Sequence, residues 1–444
     1  MSRRTTELLF LLLAGAMSAV AYVAVFAARY RDIGRSSLRT SLTYAAIYFG
    51  IFLILHLVMR RWLSQADPYL LPITALLAAI GLTEIYRISP ALALLQGQWL
   101  IVGAVLFIVT VLVVRDHQRL DGYRYLIGAA GLMLLVITAA LATEVNGARL
   151  WLRFAGLSIQ PSEFAKLAIV IFLAGYLNDK KEMLSVPTTR IMRVPIPAPK
   201  YFGPLLVMWA LSLLLLVFVG DFGMSLLFLA TFVALLYMAT ARVVYVVTGG
   251  ALFALGAAVA VRFVPHVHDR FVIWIDPWKD PQGSGYQLLQ SLFAISEGGV
   301  VGAGFGRGYL LFADKTPVVP DLQTDFIFTA ISNELGLAGA AVVVLLFLLF
   351  CWRGFVIAAW APDGFSKLLA AGLATIFGLQ TFIIIGGVTR LIPLTGITLP
   401  FVSYGGSSMT ANLVLVALLL MVSQRTNVVR AGSNTERLQL AELG

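Results

Sequence analysis

Cysteine is almost missing from this chain. Cys351 is the only one in 444 residues, which excludes an intramolecular disulfide and any cage of cysteine ligands for a metal. Histidine is scarce too, with four residues, and the pair in HVHD, 266–269, has no further ligands beside it. Charge is thin: Lys, Arg, Asp and Glu make up 12% of the chain, about half the share in a soluble domain. Heptads, tandem repeats of roughly 20 to 50 residues and inverted repeats of the kind many transporters carry are absent as well. The glycine run GGVVGAGFGRG, 298–308, follows no buried strand and opens no βαβ unit, so it is not a nucleotide fingerprint. Nothing in the sequence calls for a nucleotide, a haem or a flavin.

What the chain has instead is hydrocarbon. Apolar residues make up 60%, and the mean hydropathy is +0.90, outside the range of soluble globular proteins. Apolar stretches of the roughly 17 to 25 residues needed to cross a bilayer recur along the whole length. They alternate with short polar, Gly- or Pro-containing connections, and lipid-exposed spanning segments of this kind are helices. The expected fold is an all-α polytopic membrane protein. Its twelve spans are placed at 7–29, 41–59, 69–87, 97–114, 122–142, 162–177, 203–219, 222–240, 244–262, 326–351, 366–386 and 405–424. The first follows Met-Ser-Arg-Arg but is about twice as long as a signal-peptide apolar core, so it reads as a retained signal anchor.

Placing the Lys and Arg residues on alternate sides orients the chain. With the N-terminus in the cytoplasm, the inner segments collect Arg3, Arg4, Arg60, Arg61, Arg115, Arg119, Arg124, Lys180, Lys181, Arg190, Arg193, Lys200, Arg242, Arg353, Lys367, Arg425, Arg430 and Arg437. The C-terminus is then cytoplasmic as well. The cluster Arg29, Arg31, Arg35 and Arg39 runs against the trend. The net charge of +10 is mostly this inner excess facing anionic lipid, not a nucleic-acid signature. The long loop 263–325 falls outside.

Two connections stand out. The inner loop 178–202 opens NDKKE and carries four prolines within thirteen residues, which favours an extended tether or partner contact. The outer loop mixes Trp274, Trp278, Tyr286, Phe293 and Phe305 with charges, as segments at headgroup level do. Within it, YQLLQSLFAISEGG has apolar residues at 288, 289, 292, 293 and 295, a stripe expected to form a helix in the interface plane. Such a loop suits the approach of a lipid-like substrate.

Three constellations could carry chemistry. In QTDFIFTAISNELG, 323–336, Asp325 stands at the head of a spanning helix. Either Thr324 or Asp325 caps that helix, or the acid belongs to a polar cluster with Asp321, Asn333 and Glu334 facing a cavity. In SIQPSEFAKLAIV, 158–170, Pro161 and Glu163 are ordinary helix-start signals, but Lys166 lies inside a span and, three residues on from Glu163, can pair with it. That pair is either a structural ion pair or part of a site. Upstream, Arg149, Trp151 and Arg153 of NGARLWLRF lie on the same outer side, and cations with an aromatic suit a diphosphate and a sugar. Asp221 in VGDFGMS is read first as an Asx-type turn between Gly220 and Gly223. His56, in mid-span, is read as a hydrogen-bonded packing residue.

The motifs NGARLWL, QPSEFAKL, GDFG, DPWKDPQGSGYQLLQSLFAISEGGVVGAGFG, QTDFIFTAISNELGLAG and LIPLTGITLPFVSYGGSS occur in that order. In this the chain resembles the shape, elongation, division and sporulation (SEDS) proteins, the RodA/FtsW group, over about residues 69–425. The resemblance implies a core of about ten membrane helices, 63–425, preceded by an extra two-helix segment, 1–62, and followed by a cytoplasmic tail, 426–444. It further implies a peptidoglycan glycosyltransferase of the bacterial cytoplasmic membrane that polymerises lipid II beside a class B penicillin-binding protein, a transpeptidase. The family's essential carboxylate falls on Asp325, and its intramembrane Glu/Lys pair on Glu163 and Lys166. Gly386 and Gly387 stand where many relatives have an asparagine, and the helix opening QGQWL lacks the usual basic residue.

Glycan polymerisation has a sugar 4-hydroxyl attack an anomeric carbon bearing a lipid diphosphate, so it needs a base and cations for the leaving group. The expected roles are Asp325 as base, with Lys166 and Arg149 or Arg153 as diphosphate-side cations. Glu163 would hold Lys166, and Trp151 and Asp221 would help bind the substrate. A divalent cation, Mg2+ or Mn2+, on the diphosphate is compatible with this, without nameable ligands. The alternatives are a flippase for lipid-linked precursors, with the same charges lining its path, and a silent scaffold for cell-wall proteins.

Overall fold

The structure, a computed structural model, describes residues 2–29, 35–145, 148–154, 157–185, 189–191, 194–196, 199–312 and 316–442. Asn146 and Gly147 of the first motif, Arg31 of the arginine cluster and much of the proline-rich loop lie outside the described residues, as do the side chains of Arg29, Arg35, Arg39, Arg190, Arg193, Arg437 and His266.

Helices α1 (Arg3–Arg29) and α2 (Arg35–Trp62) come first. They are followed by α3 (Leu70–Ile88), α4 (Pro90–Val109) with a π-helical turn at Thr110–Val114, α5 (Arg119–Gly122) and α6 (Arg124–Leu141). A small antiparallel sheet, β1 (Thr143–Val145), β2 (Ala148–Phe154) and β3 (Leu157–Ile159), leads into α7 (Pro161–Ser185). The hairpin β4 (Thr189–Ile191) and β5 (Val194–Ile196) precedes α8 (Pro199–Phe218), α9 (Phe222–Thr240) and α10 (Val243–Phe263). The long loop contains α11 (Pro265–Ile275) and α12 (Tyr286–Gly298), and α13 (Ile327–Trp360), α14 (Gly364–Val388) and α15 (Gly406–Glu442) complete the chain.

Each of the twelve expected spans falls on one of these helices. Ten are long and apolar enough to cross a membrane by length and composition. Of the others, α7 carries Glu163 and Lys166, and the described apolar stretch of α8, Gly203–Phe218, is shorter. Several boundaries need correction: α7 runs past 177 to Ser185, and α2 starts at Arg35 rather than 41. Ser89 caps α4 with Pro90 at its first turn, so that helix starts seven residues before position 97. Helix α13 continues past 351 to Trp360, and the expected tail 426–444 continues α15 as far as Glu442. Helix α15 is the most buried of these helices, with 94% of its most apolar eighteen residues buried, whereas α10 has none buried.

Contacts sort the connections into two ends. Residues 65–67 meet Ser423, Gln424 and Arg353, and His117 Nε2 lies 2.6 Å from Ser366 Oγ. This is the basic end. At the other end, Arg87, the sheet, the 219–222 turn, the long loop and residues 389–405 come together.

The added helices are pinned by buried charge. Arg4 pairs with Glu7, whose other oxygen lies 2.6 Å from His56 Nδ1. Arg4 also donates to the carbonyl of Ala66, and Arg3 Nη1 to that of Gln65 at 2.8 Å. His56 is thus the bonded packing residue anticipated.

The glycine run has a structural purpose that its sequence does not reveal. Helix α13 breaks at Gly336, where φ is 66° and ψ −170°, a region essentially restricted to glycine. Residues 299–304 fill the break: the amides of Leu337 and Ala338 donate to Gly299 and Val300 O at 2.9 and 3.0 Å, and those of Ala303 and Gly304 to Asn333 and Glu334 O at 3.0 and 2.8 Å. Glu334 accepts from Gly306 N at 2.6 Å and from Arg87 Nε at 3.1 Å, while Asn333 Nδ2 donates to Ala294 O at 2.8 Å. The expectation that Asn333 and Glu334 face a cavity with Asp325 is therefore corrected, because both side chains tie the loop to α13. A Cβ on Gly336 would sit 2.4 Å from Gly302 N. Gly336→Ala is expected to destabilise the fold by about 1–3 kcal/mol from the backbone angles alone, read as a lower melting temperature in detergent.

Candidate active site

Asp325 sits in the turn just before α13. The amides of Thr324 and Asp325 both donate to Asp321 O at 3.1 Å, and Asp321 has φ +54°. The N-cap of α13 is Phe326, with no side-chain hydrogen bond, so neither Thr324 nor Asp325 caps the helix. The capping reading fails, and the carboxylate is left for another use. The turn is clamped from the side by Tyr404 N donating to Gln323 O at 2.8 Å and Ser403 Oγ to Thr324 O at 2.5 Å. A Cβ on Gly396 would lie 3.4 Å from Asp325 Oδ2 and 3.7 Å from Arg270 Nη2, so a carboxylate and a guanidinium flank one glycine. Arg270 Nη1 also donates to Thr395 O at 3.0 Å. Burial, and then the like charge of Asp321, push the Asp325 carboxyl up to about 7, against the opposing pull of Arg270.

Glu163 and Lys166 lie deeper. Lys166 Nζ donates to Glu163 Oε2 at 2.5 Å, to Gln380 Oε1 at 2.7 Å and to Asn412 Oδ1 at 3.4 Å. An ammonium has three donors. All three are used, and the side chain exposes 0% of its surface. In this arrangement Lys166 cross-links α7, α14 and α15. Gln380 Nε2 donates to Thr398 O at 2.9 Å, and Thr398 Oγ1 to Glu163 Oε1 at 3.5 Å.

Asp221 caps α9 through Met224 N at 3.0 Å and accepts from Gln160 Nε2 at 3.3 Å and Ser162 Oγ at 3.4 Å. Burial pushes it up to about 6, with the Met224 amide pulling the other way. Its turn role therefore holds, with added side-chain partners. The segment Thr395–Thr398 links the three acids. Thr395 and Gly396 touch the Arg270 and Asp325 side, Ile397 packs on Gly223 beside Asp221, and Thr398 reaches Glu163.

The hairpin residues contribute differently. Arg149, Trp151 and Arg153 alternate along β2 and so share a face. Arg149 is paired with Glu144 at 3.3 Å, about half of each side chain being exposed, Trp151 is half-buried and Arg153 is exposed. The backbone of Arg149 is fixed at Val219 O, 2.9 Å away, beside the Asp221 turn. Arg149 thus borders the Asp221 turn.

Comparison with known proteins places this arrangement. The family model for cell cycle proteins of the FtsW, RodA and SpoVE group matches residues 69–428. The chain belongs to this family. A peptidoglycan glycosyltransferase RodA of Mycobacterium tuberculosis is 40% identical over 436 residues, spanning 95% of this chain and 91% of the relative. Stage V sporulation protein E of Bacillus subtilis is 35% identical over 376 residues, 81% of this chain and 98% of its own. Among solved structures, a chain from work titled as the structural coordination of polymerization and crosslinking by a peptidoglycan synthase complex superposes with a TM-score of 0.67. It is 26% identical and covers 81% of this chain and 98% of that one. The rod shape determining protein RodA of Thermus thermophilus gives a TM-score of 0.58 at 25% identity, over 81% of this chain and 96% of that one.

Within this member of the FtsW/RodA/SpoVE family, an integral membrane protein, Arg270 is the site residue that sequence reasoning missed. Its signal is slight: one arginine ahead of the apolar FVIWI on the short helix α11. Among the described residues no three His, Cys, Asp or Glu side chains converge. Cavities of about 350 and 640 Å³ lie elsewhere, at the basic end and along the loop-facing part of α13, and neither is lined by Asp325.

Proposed function

We propose that this protein is a peptidoglycan glycosyltransferase that polymerises lipid II at the outer face of the bacterial cytoplasmic membrane. Its core is 63–425, and both termini are cytoplasmic. The observation that carries the reading is the uncapped Asp325 carboxylate, held at the loop-bearing end beside Arg270.

Chain growth requires removal of a proton from an incoming sugar 4-hydroxyl as it attacks the anomeric carbon of a lipid-linked donor. A carboxylate near 7 is matched to that work, since a base is most effective when its pKa is close to ambient pH. The bond to the lipid diphosphate breaks as the glycosidic bond forms, and a single displacement inverts an α-linked donor to a β linkage. Arg270 is the guanidinium on hand beside the base, and Arg153 the exposed one on the hairpin. Glu163 and Lys166 act as positioning residues, holding the Thr395–Thr398 segment through Gln380 and Thr398. Any divalent cation would arrive on the diphosphate, and no step here depends on one.

A partner is part of the reading. The relative solved within a peptidoglycan synthase complex supports pairing with a class B penicillin-binding protein, which would cross-link the strands. Purified full-length protein given lipid II, with and without a co-purified transpeptidase, should yield glycan polymer on a gel. Transbilayer movement of lipid II without polymer would instead make it a flippase, and neither activity would leave a scaffold.

The acid sets a pH dependence. Only the ionised base accepts a proton, so the polymerisation rate should rise as pH passes upward through about 7 and then level off. Arg270 pulls that value down, so Arg270→Ala should move the midpoint to higher pH. An unmoved midpoint would separate Arg270 from the base.

A further inference from the structure

Helix α4 buries a stripe of residues at helical spacing, from Ala93 to Phe107, and Gln96 is the polar member of that stripe. Its exposure is 0%, and an amide taken so far from water costs stability unless it is bonded. Both of its ends are bonded to one turn. Nε2 donates to Ser403 O at 3.2 Å, and Gly405 N donates to Oε1 at 3.1 Å. The side-chain amide thus bridges the backbone on either side of Tyr404.

That turn needs holding. Phe401 has φ +65°, a left-handed angle that a non-glycine residue keeps only where the surrounding structure over-determines it. Helix α3 backs the turn closely, since a Cβ on Gly81 would lie 2.5 Å from Val402 O. On the far side the turn meets the segment that carries Asp325. Ser403 Oγ accepts from Leu399 N at 2.9 Å and donates to Thr324 O at 2.5 Å, while Tyr404 N donates to Gln323 O at 2.8 Å. Gln96 therefore grips residues 403 and 405, and residues 403 and 404 grip the two residues just ahead of Asp325. We infer that Gln96 is a positioning residue for the reaction, setting the place of the Asp325 carboxylate through the 399–405 turn.

The inference rests on the proposed role of Asp325 as base, but the linkage itself is read without any polymerisation assay, by backbone amide exchange and mass spectrometry. In full-length protein, Gln96→Met should speed exchange across 321–326 and 399–405 by about tenfold, the size expected when both Gln96 bonds are lost. It should also lower kcat by about ten- to hundredfold while KM for lipid II stays within about twofold, since a reacting group misplaced by about 1 Å loses on the order of 10²-fold. Ser403→Ala breaks the far end of the same link, so the double variant should be no slower than the slower single one. Gln98→Met, on the exposed face of α4, should change neither readout. Gln96→Asn keeps a buried amide too short to reach both backbone groups, should act in the same direction, and covers the case in which the methionine variant does not fold. Unchanged exchange at 321–326 in the Gln96 variants, a loss confined to KM, or losses that multiply in the double variant would overturn the inference. A wild type that makes no polymer would instead sink the proposed function, and the exchange rates would still decide the linkage.

Discussion

Asp325→Asn is expected to slow lipid II polymerisation by about 10²- to 10⁴-fold, the range for losing a general base. The amide has nearly the same shape, but it cannot take the proton. Folding should not suffer. The Asp325 carboxyl is raised above its ordinary value in the fold, so its contribution to stability is fully present below about 4 and is lost as pH climbs through about 7. At pH 8 the ionised acid therefore opposes folding, and the asparagine variant should melt no lower than wild type, and higher if anything. The two readouts together are diagnostic: near-zero polymer with an unchanged or raised melting temperature. Polymer at more than about a tenth of the wild-type rate would remove Asp325 from the chemistry.

Lys166→Met is expected to fail in a different way. Removing one partner of a buried, fully bonded ion pair leaves Glu163 charged and alone, which costs about 3–5 kcal/mol. The methionine also strips Gln380 and Asn412 of their shared donor. Loss of monodisperse protein or a much lower melting temperature should follow. Glu163→Gln combined with Lys166→Met should recover part of that loss, because no lone charge remains. If Lys166→Met melted like wild type and lost only polymerisation, Lys166 would touch the substrate after all, as its place in the sequence suggests.

The contrast between these two residues shows what local sequence conveys. Helix periodicity and hydropathy are local, so all twelve spans and the three-residue spacing of Glu163 and Lys166 are legible in the order of residues alone. That the pair is sealed is not, because its other partners, Gln380 and Asn412, come from helices more than 200 residues away. Arg270 is hidden for the same reason, since its value lies in the approach of Gly396 and Asp325 from two distant turns. Of the glycine run, sequence tells only what it is not. Its amides and carbonyls replace those lost at a helix break, and backbone pairing of that kind leaves no side-chain pattern beyond the absence of side chains. Asn333 and Glu334 mislead because helical spacing says which residues share a face and not what covers it.

The buried pairing of Arg4, Glu7 and His56 bears on how the chain is made. Glu7 leaves the ribosome 49 residues ahead of His56, so the first helix meets the translocon before its imidazole partner exists. The nearest cation along the chain is Arg4, three positions back, and in the folded protein it pairs with the same acid. An arginine that charge counting files only as a topology marker is thus part of the buried network that joins α1 to α2.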